Sequence, residues 1–257
     1  MYNVKVQRFN DEVQLSLYRY GISTKEKKDN DKNVIKSDKQ RNKTIKQSDK
    51  AIIENKIRST RRTKQSIYNI SRANDWKYFA TFTFENNRYD YEDCKKRLRY
   101  YLNNVRKRHC LDFEYLVVPE LHKDGAIHFH ALLMGSIEEL LCESFEKGKM
   151  MLKNYKHGIS QIEPIKDTNR VAMYITKYIT KELLDNVQNA QRYFCSNGVK
   201  RAEEKTYYVD DLNDWEFIEN NFSEFDISYI KNCENKGYKV SYIQLKMKNC
   251  EKQQKNC

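Results

Sequence analysis

Two imidazoles stand two residues apart in His128-Phe129-His130. On a strand, alternate side chains point to the same face, so both histidines project together while Phe129 turns the other way. An acid on the neighbouring strand would complete a metal site, and Glu120 is the candidate. Register decides whether it reaches. If Lys123-Asp124-Gly125 forms a three-residue hairpin loop with Gly125 left-handed, Glu120 pairs with His128 and shares its face. A two-residue Asp-Gly turn would point Glu120 away. Two imidazoles, one carboxylate and open positions suit a divalent cation acting as a Lewis acid. Mn²⁺ or Mg²⁺ is expected in the cell, and Zn²⁺ or Ni²⁺ also fits the donor set. His122 falls on the same face as an alternative ligand to Glu120. With five histidines in 257 residues, about 0.1 His-x-His pairs arise by chance, and the upstream acid lowers this to roughly 0.01. The trio is therefore specific where the pair alone is not.

Downstream lies Tyr174-Ile175-Thr176-Lys177-Tyr178-Ile179-Thr180-Lys181. On a helix, Tyr174, Tyr178, Lys177 and Lys181 share an arc of roughly 100°, beside an apolar arc of Val171, Ala172, Ile175, Ile179 and Leu183. A phenolic oxygen that attacks a phosphodiester makes a bond of similar energy to the one broken, so the cut stays reversible. A nearby ammonium stabilises the charge that develops. Two tyrosines allow two successive transfers. Tyrosine is common here, with 19 in the chain, so about 1.4 Tyr-x-x-x-Tyr pairs arise by chance; a lysine three residues after each lowers this to roughly 0.03.

The elements that must position these groups form an α+β pattern. Tyr78 to Phe84 reads as a strand, and Tyr91 to His109 as a basic amphipathic helix. Strands follow at Phe113 to Leu121 and Ile127 to Gly135, a helix around Glu138 to Tyr155, a strand near Gly158 to Ile165, and a helix from Asn169 to about Gln191. This order predicts an antiparallel sheet with helices packed on one face. Residues 1–74 comprise an N-terminal hairpin between Val4 and Ile22, a polar linker, and a basic helix. Residues 75–205 form the catalytic domain, and 206–257 a partly acidic extension with a strand at Tyr238 to Leu245.

The net charge of +12 favours a polyanionic partner. Arg58, Arg61, Arg62 and Lys64 of the basic helix are the candidate DNA contacts. No apolar run approaches the ~20 residues of a membrane span, and residues 1–9 do not read as a signal peptide. Seven cysteines at irregular spacings point to a reducing cytoplasm rather than a disulfide framework. No Gly-rich phosphate loop is present, so strand unwinding falls to a host helicase.

Taken in order, these motifs resemble the HUH endonucleases, specifically the two-tyrosine rolling-circle replication initiators of microviruses, filamentous phages and plasmids. Phe79-Ala80-Thr81-Phe82-Thr83-Phe84 is similar to the family's first strand motif, Glu120 with His128-Phe129-His130 to its metal motif, and Tyr174-x-x-Lys177-Tyr178-x-x-Lys181 to its tyrosine motif. The resemblance covers about Trp76 to Lys200. It implies a sheet of about five antiparallel strands, a divalent metal, nicking of single-stranded DNA at an origin, a 5′-phosphotyrosyl intermediate and later religation. It also implies a prokaryotic host that supplies helicase and polymerase. Arg192 to Lys200 resembles the segment after the tyrosines, so Arg192 and Lys200 join the DNA-contact candidates; Ser196 and Asn197 depart from the expected serine- and arginine-rich turn. The same chemistry serves transposition or mobilisation, and a non-catalytic basic nucleic-acid-binding protein is the alternative from another class.

Overall fold

Apolar alternation marks strands such as β2 (Glu12–Ile22), whereas the central strands carry continuous buried runs. In the computed structural model, β4 (Phe113–Leu121) and β5 (Ile127–Gly135) pair as a nine-residue hairpin. The structure describes residues 1–10, 12–23, 49–144, 149–180, 183, 192–235 and 237–248. The chain divides into two compact units, Met1–Lys46 with Ala202–Cys257, and Gln47–Arg201.

The first unit joins both ends of the chain. Strands β1 (Tyr2–Arg8) and β2 (Glu12–Ile22) form the expected hairpin, and β10 (Glu203–Tyr207), β11 (Phe225–Asn235) and β12 (Tyr238–Met247) complete a five-stranded antiparallel sheet of order β10-β1-β2-β12-β11. Val4 pairs with Tyr207, and Leu17 with Ser241. Val4, Val6, Leu15, Leu17, Ile243 and Leu245 are buried with Ile218 and Phe222 from the helix Asp214–Asn221 and its cap. The division into residues 1–74, 75–205 and 206–257 therefore differs from these units: the N-terminal hairpin shares a sheet with the C-terminal strands, and the basic helix belongs to the unit Gln47–Arg201.

The second unit is built on a seven-stranded antiparallel sheet of order β6-β7-β8-β3-β5-β4-β9. Its long strands are β3 (Tyr78–Phe82), β4, β5 and β8 (Ser160–Pro164), and β6 (Leu141–Glu143), β7 (Met150–Leu152) and β9 (Phe194–Cys195) are short. The extra short strands raise the count above the expected five. The helix expected over 138–155 is a 3-10 turn at Glu138–Leu140 followed by β6 and β7. That segment is held by distant partners: Met150 pairs with Ile162, and the Tyr101 hydroxyl donates to Lys153 O at 2.9 Å.

Helices lie on both faces of this sheet rather than one. Helix α2 (Tyr91–Arg108) buries Tyr91, Cys94, Leu98 and Tyr101 on the Phe129 face, where Tyr91 and Phe129 rings meet at 6.0 Å. Helix α3 (Thr168–Thr176) covers the opposite, histidine face and packs beside α1 (Asp49–Arg72). No helix among the described residues is long and apolar enough to cross a membrane.

Candidate active site

The β4–β5 hairpin sets three groups on one face. Glu120 pairs with His128, and Leu121 with Ile127. His122 N–H donates to Ala126 O and Gly125 N–H to His122 O, each at 2.9 Å. Lys123-Asp124-Gly125 is thus a three-residue loop, and Gly125 has φ 84°, a left-handed conformation that glycine adopts without steric cost. Asp124 Oδ1 accepts from Ala126 N–H at 3.0 Å, which fastens the loop. This is the register that the metal reading requires.

Glu120 Oε2 lies 2.7 Å from His130 Nε2. The other ring nitrogen, Nδ1, lies 3.1 Å from Thr81 Oγ1 on β3, the residue in register with His130. His128 stacks on His122 with ring centroids 4.9 Å apart, and His122 Nδ1 is 3.1 Å from Asp124 Oδ1. Burial pushes the Glu120 carboxyl up, and its hydrogen bond to His130 with the charges of the three histidines outweighs this, leaving it below its ordinary value. Burial, then His122, pushes His128 down, so its ring keeps a lone pair at neutral pH.

Among the described residues, no three His, Cys, Asp or Glu side chains surround a common point as they stand; Glu120 and His130 bond to each other instead. The donor set nevertheless fits a divalent cation. Two ligands at ~2.1 Å and right angles around one ion are about 3 Å apart, little more than the 2.7 Å between Glu120 Oε2 and His130 Nε2. Thr81 is placed to orient the ring from behind, as partners of ligating histidines do.

Helix α3 brings up the tyrosines. Asp167 caps it, its Oδ1 accepting from Asn169 and Arg170 N–H at 2.9 and 3.0 Å. Helix α3 ends at Thr176; of the remaining stretch expected to be helical, to about Gln191, most lies outside the described residues, and Leu183 is helical. Thr176 Oγ1 donates back to Met173 O at 2.7 Å, and the β-branched run Ile175-Thr176 and Ile179-Thr180 is weakly helical. Tyr174 therefore sits on the last helical turn and Tyr178 in the turn that follows. Lys181 lies outside the described residues.

The two phenols differ in setting. Tyr178 lies flat on His130, with ring centroids 3.6 Å apart and planes 16° apart, and is 7% exposed. Tyr174 is 45% exposed and meets Tyr178 edge-on at 5.5 Å. The Lys177 ammonium is 3.4 Å from the Tyr174 ring centroid and 4.9 Å from that of Tyr178. Hydrogen bonds from Lys177 and then from the Tyr178 hydroxyl push Tyr174 below its ordinary value. Burial, and then that same donation to Tyr174, push Tyr178 up. Phe79 packs against both tyrosines and His130, at 5.5 to 6.5 Å between centroids.

Phe79 and Thr81 are the site residues that sequence reasoning passed over as individuals. Their signal was present: in Tyr78 to Phe84, the pleat sends Phe79, Thr81 and Thr83 to the face opposite Ala80, Phe82 and Phe84.

The basic candidates gather around α1. Arg58, Arg61 and Arg62 are exposed and Lys64 is half-buried; Arg58 pairs with Glu54 at 3.4 Å. Arg192 turns its guanidinium inward, donating to the hydroxyls of Ser59 and Thr63. Lys200 is exposed, with its backbone fixed at both N–H and C=O by the Asn74 side chain at 2.9 Å.

Residues 77–183 match the family model described as replication-associated protein ORF2/gene II protein. The matched stretch runs from the start of β3 through the β4–β5 hairpin and both tyrosines. No curated protein and no solved structure matches the chain.

Proposed function

We propose that the protein is a rolling-circle replication initiator that nicks single-stranded DNA at an origin and holds the cut end on a tyrosine. The observation that carries this reading is the packing of Tyr178 on His130, 3.6 Å between ring centroids, with Tyr174 beside it. It sets both phenols over the face that holds Glu120 and His128. The family match over residues 77–183 supports the same class.

Tyr174, the exposed phenol, makes the first attack. Its oxygen bonds to the scissile phosphorus as the phenolic proton departs to solvent, and the P–O3′ bond breaks, the 3′-oxygen taking a proton from solvent, to leave a 3′-hydroxyl and a 5′-phosphotyrosyl link. Lys177 and the Tyr178 hydroxyl hold the attacking oxygen towards its anionic form. Return attack by a 3′-hydroxyl reseals the strand, and Tyr178 is the second acceptor for a further transfer. Mn²⁺ or Mg²⁺ held by Glu120, His128 and His130 would polarise the scissile phosphate. Thr81 and Phe79 hold His130 in place. Arg61, Arg62, Lys64 and Lys200 meet DNA phosphates, and Arg192 braces α1. Host helicase and polymerase act on the exposed 3′ end in the cytoplasm of a prokaryotic cell.

The test is incubation with Mn²⁺ and the labelled single-stranded circle of the replicon that carries the gene, followed by denaturing electrophoresis. A protein-DNA conjugate is expected from the parent and none from the Tyr174→Phe, Tyr178→Phe double variant. Equal conjugate from both proteins would refute the assignment.

A further inference from the structure

Helix α2 lies on the sheet face away from the tyrosines, and its outer side is not used by the proposed chemistry. Between Asp93 and Asp112 the sequence carries seven cations and no carboxylate. Three of those cations are occupied: Lys95 by Glu92 at 2.7 Å, Arg97 by Asp93 at 3.0 Å and Arg106 by Glu114 at 3.0 Å. Lys96, Arg99 and Lys107 are exposed and form no ion pair with any described residue, and Tyr100 beside them is 67% exposed. At 3.6 residues per turn these four fall within an arc of about 100°, along roughly 16 Å of helix axis.

We infer that this stripe docks the phosphate backbone of double-stranded DNA flanking the nick. Charge complementarity selects a polyanion, because each of the stripe's three unpaired cations releases counterions when it meets a phosphate; Arg108, the fourth unpaired cation, falls outside the stripe's arc. Shape selects the duplex. Single strands are held by grooves lined with several stacking rings, whereas this stripe runs along one straight helix and offers a single exposed ring, Tyr100. A regular row of phosphates meets such a surface without demanding a base sequence. The buried side of α2 keeps the row rigid: Leu98 and Leu102 are fully buried. The inference goes beyond the nicking reading and depends on neither tyrosine. It gives the enzyme a hold on the duplex from the face opposite the cut strand.

The full chain is titrated against a fluorescent 20-bp duplex of arbitrary sequence and against a 20-nucleotide single strand. The parent is compared with the variant Lys96→Gln, Arg99→Gln, Lys107→Gln, and with the charge-keeping Lys96→Arg, Lys107→Arg. The Gln variant should bind duplex at least about 10-fold more weakly, with a salt slope shallower by up to ~3. Single-strand affinity should stay within about twofold, and the Arg variant should match the parent. Conjugate formation on single-stranded DNA, read in parallel, shows that the Gln variant is folded; absence of conjugate from every protein counts against the nicking reading and leaves the duplex comparison standing. Duplex affinity unchanged in the Gln variant, equal losses on duplex and single strand, or no duplex binding by the parent would each overturn the inference.

Discussion

Thr81 and His130 face each other as a cross-strand pair, Oγ1 at 3.1 Å from Nδ1, while Glu120 faces the opposite ring nitrogen at 2.7 Å. The hydroxyl can accept from Nδ1–H or donate to the bare nitrogen, so it follows whichever tautomer Nε2 demands. A cation on Nε2 requires the proton at Nδ1, and Thr81 then accepts it. Thr81→Val keeps the shape and removes this partner. Mn²⁺ affinity, measured by calorimetry, should fall about 10-fold or more, while Thr81→Ser should stay close to the parent. Unchanged affinity in the valine variant would remove Thr81 from the site.

The unequal burial of the phenols separates their roles. Tyr174→Phe should abolish conjugate formation in a single round. Tyr178→Phe should keep the first cut, slowed roughly 10-fold by loss of the donor to Tyr174, and lose the second transfer. Single-turnover assays on a single strand distinguish the steps. A first cut that survives Tyr174→Phe and dies with Tyr178→Phe would reverse the assignment.

Lys177 sets the pH dependence. Tyr174 is an acid whose ionisation is made easier, first by Lys177 and then by Tyr178. Cleavage should therefore rise with pH and level off below the ordinary tyrosine range, about 10. Lys177→Met removes the larger influence, so the rise should move to higher pH, with a loss on the order of 10-fold near neutrality. Lys177→Arg should restore most of it. A pH–rate profile of the methionine variant that superimposes on the parent's would count against this role.

Gly125 links backbone conformation to the metal face. Its φ of 84° costs a branched residue about 1 to 2 kcal/mol, though the space is open, since an added Cβ would meet only the Tyr89 ring at 3.8 Å. Gly125→Val should lower the melting temperature by a few degrees, on the order of 2 to 4 °C per kcal/mol. It should also weaken Mn²⁺ binding, because the three-residue loop is what brings Glu120 opposite His128. Gly125→Asn, which tolerates this conformation, should be milder in both measurements.

Local pattern made the β4–β5 hairpin legible. Period-two alternation placed both histidines on one face, while the loop composition left two registers open, and the structure has the three-residue loop that puts Glu120 opposite His128. The tyrosines stand out by type and spacing, but the helix end at Thr176 does not, because no glycine or proline marks it and the β-branched residues around it only weaken the helix. Residues 138–155 looked helical in isolation; their strands exist because Met150 meets Ile162 and Leu152 N–H donates to the Ser160 hydroxyl. The terminal sheet was hidden for a similar reason. Nothing near Val4 announces a partner at Tyr207.

That terminal sheet ties the fate of the chain's beginning to its end. Strand β2 lies between β1 and β12, and β1 between β2 and β10. During synthesis, the first hairpin made must wait for the last strands before its ladder is complete. A premature stop codon after residue 201 would leave the unit that carries Glu120, His130 and both tyrosines encoded in full, yet strip the outer edges of β1 and β2 of their neighbours and expose them to pairing with other copies.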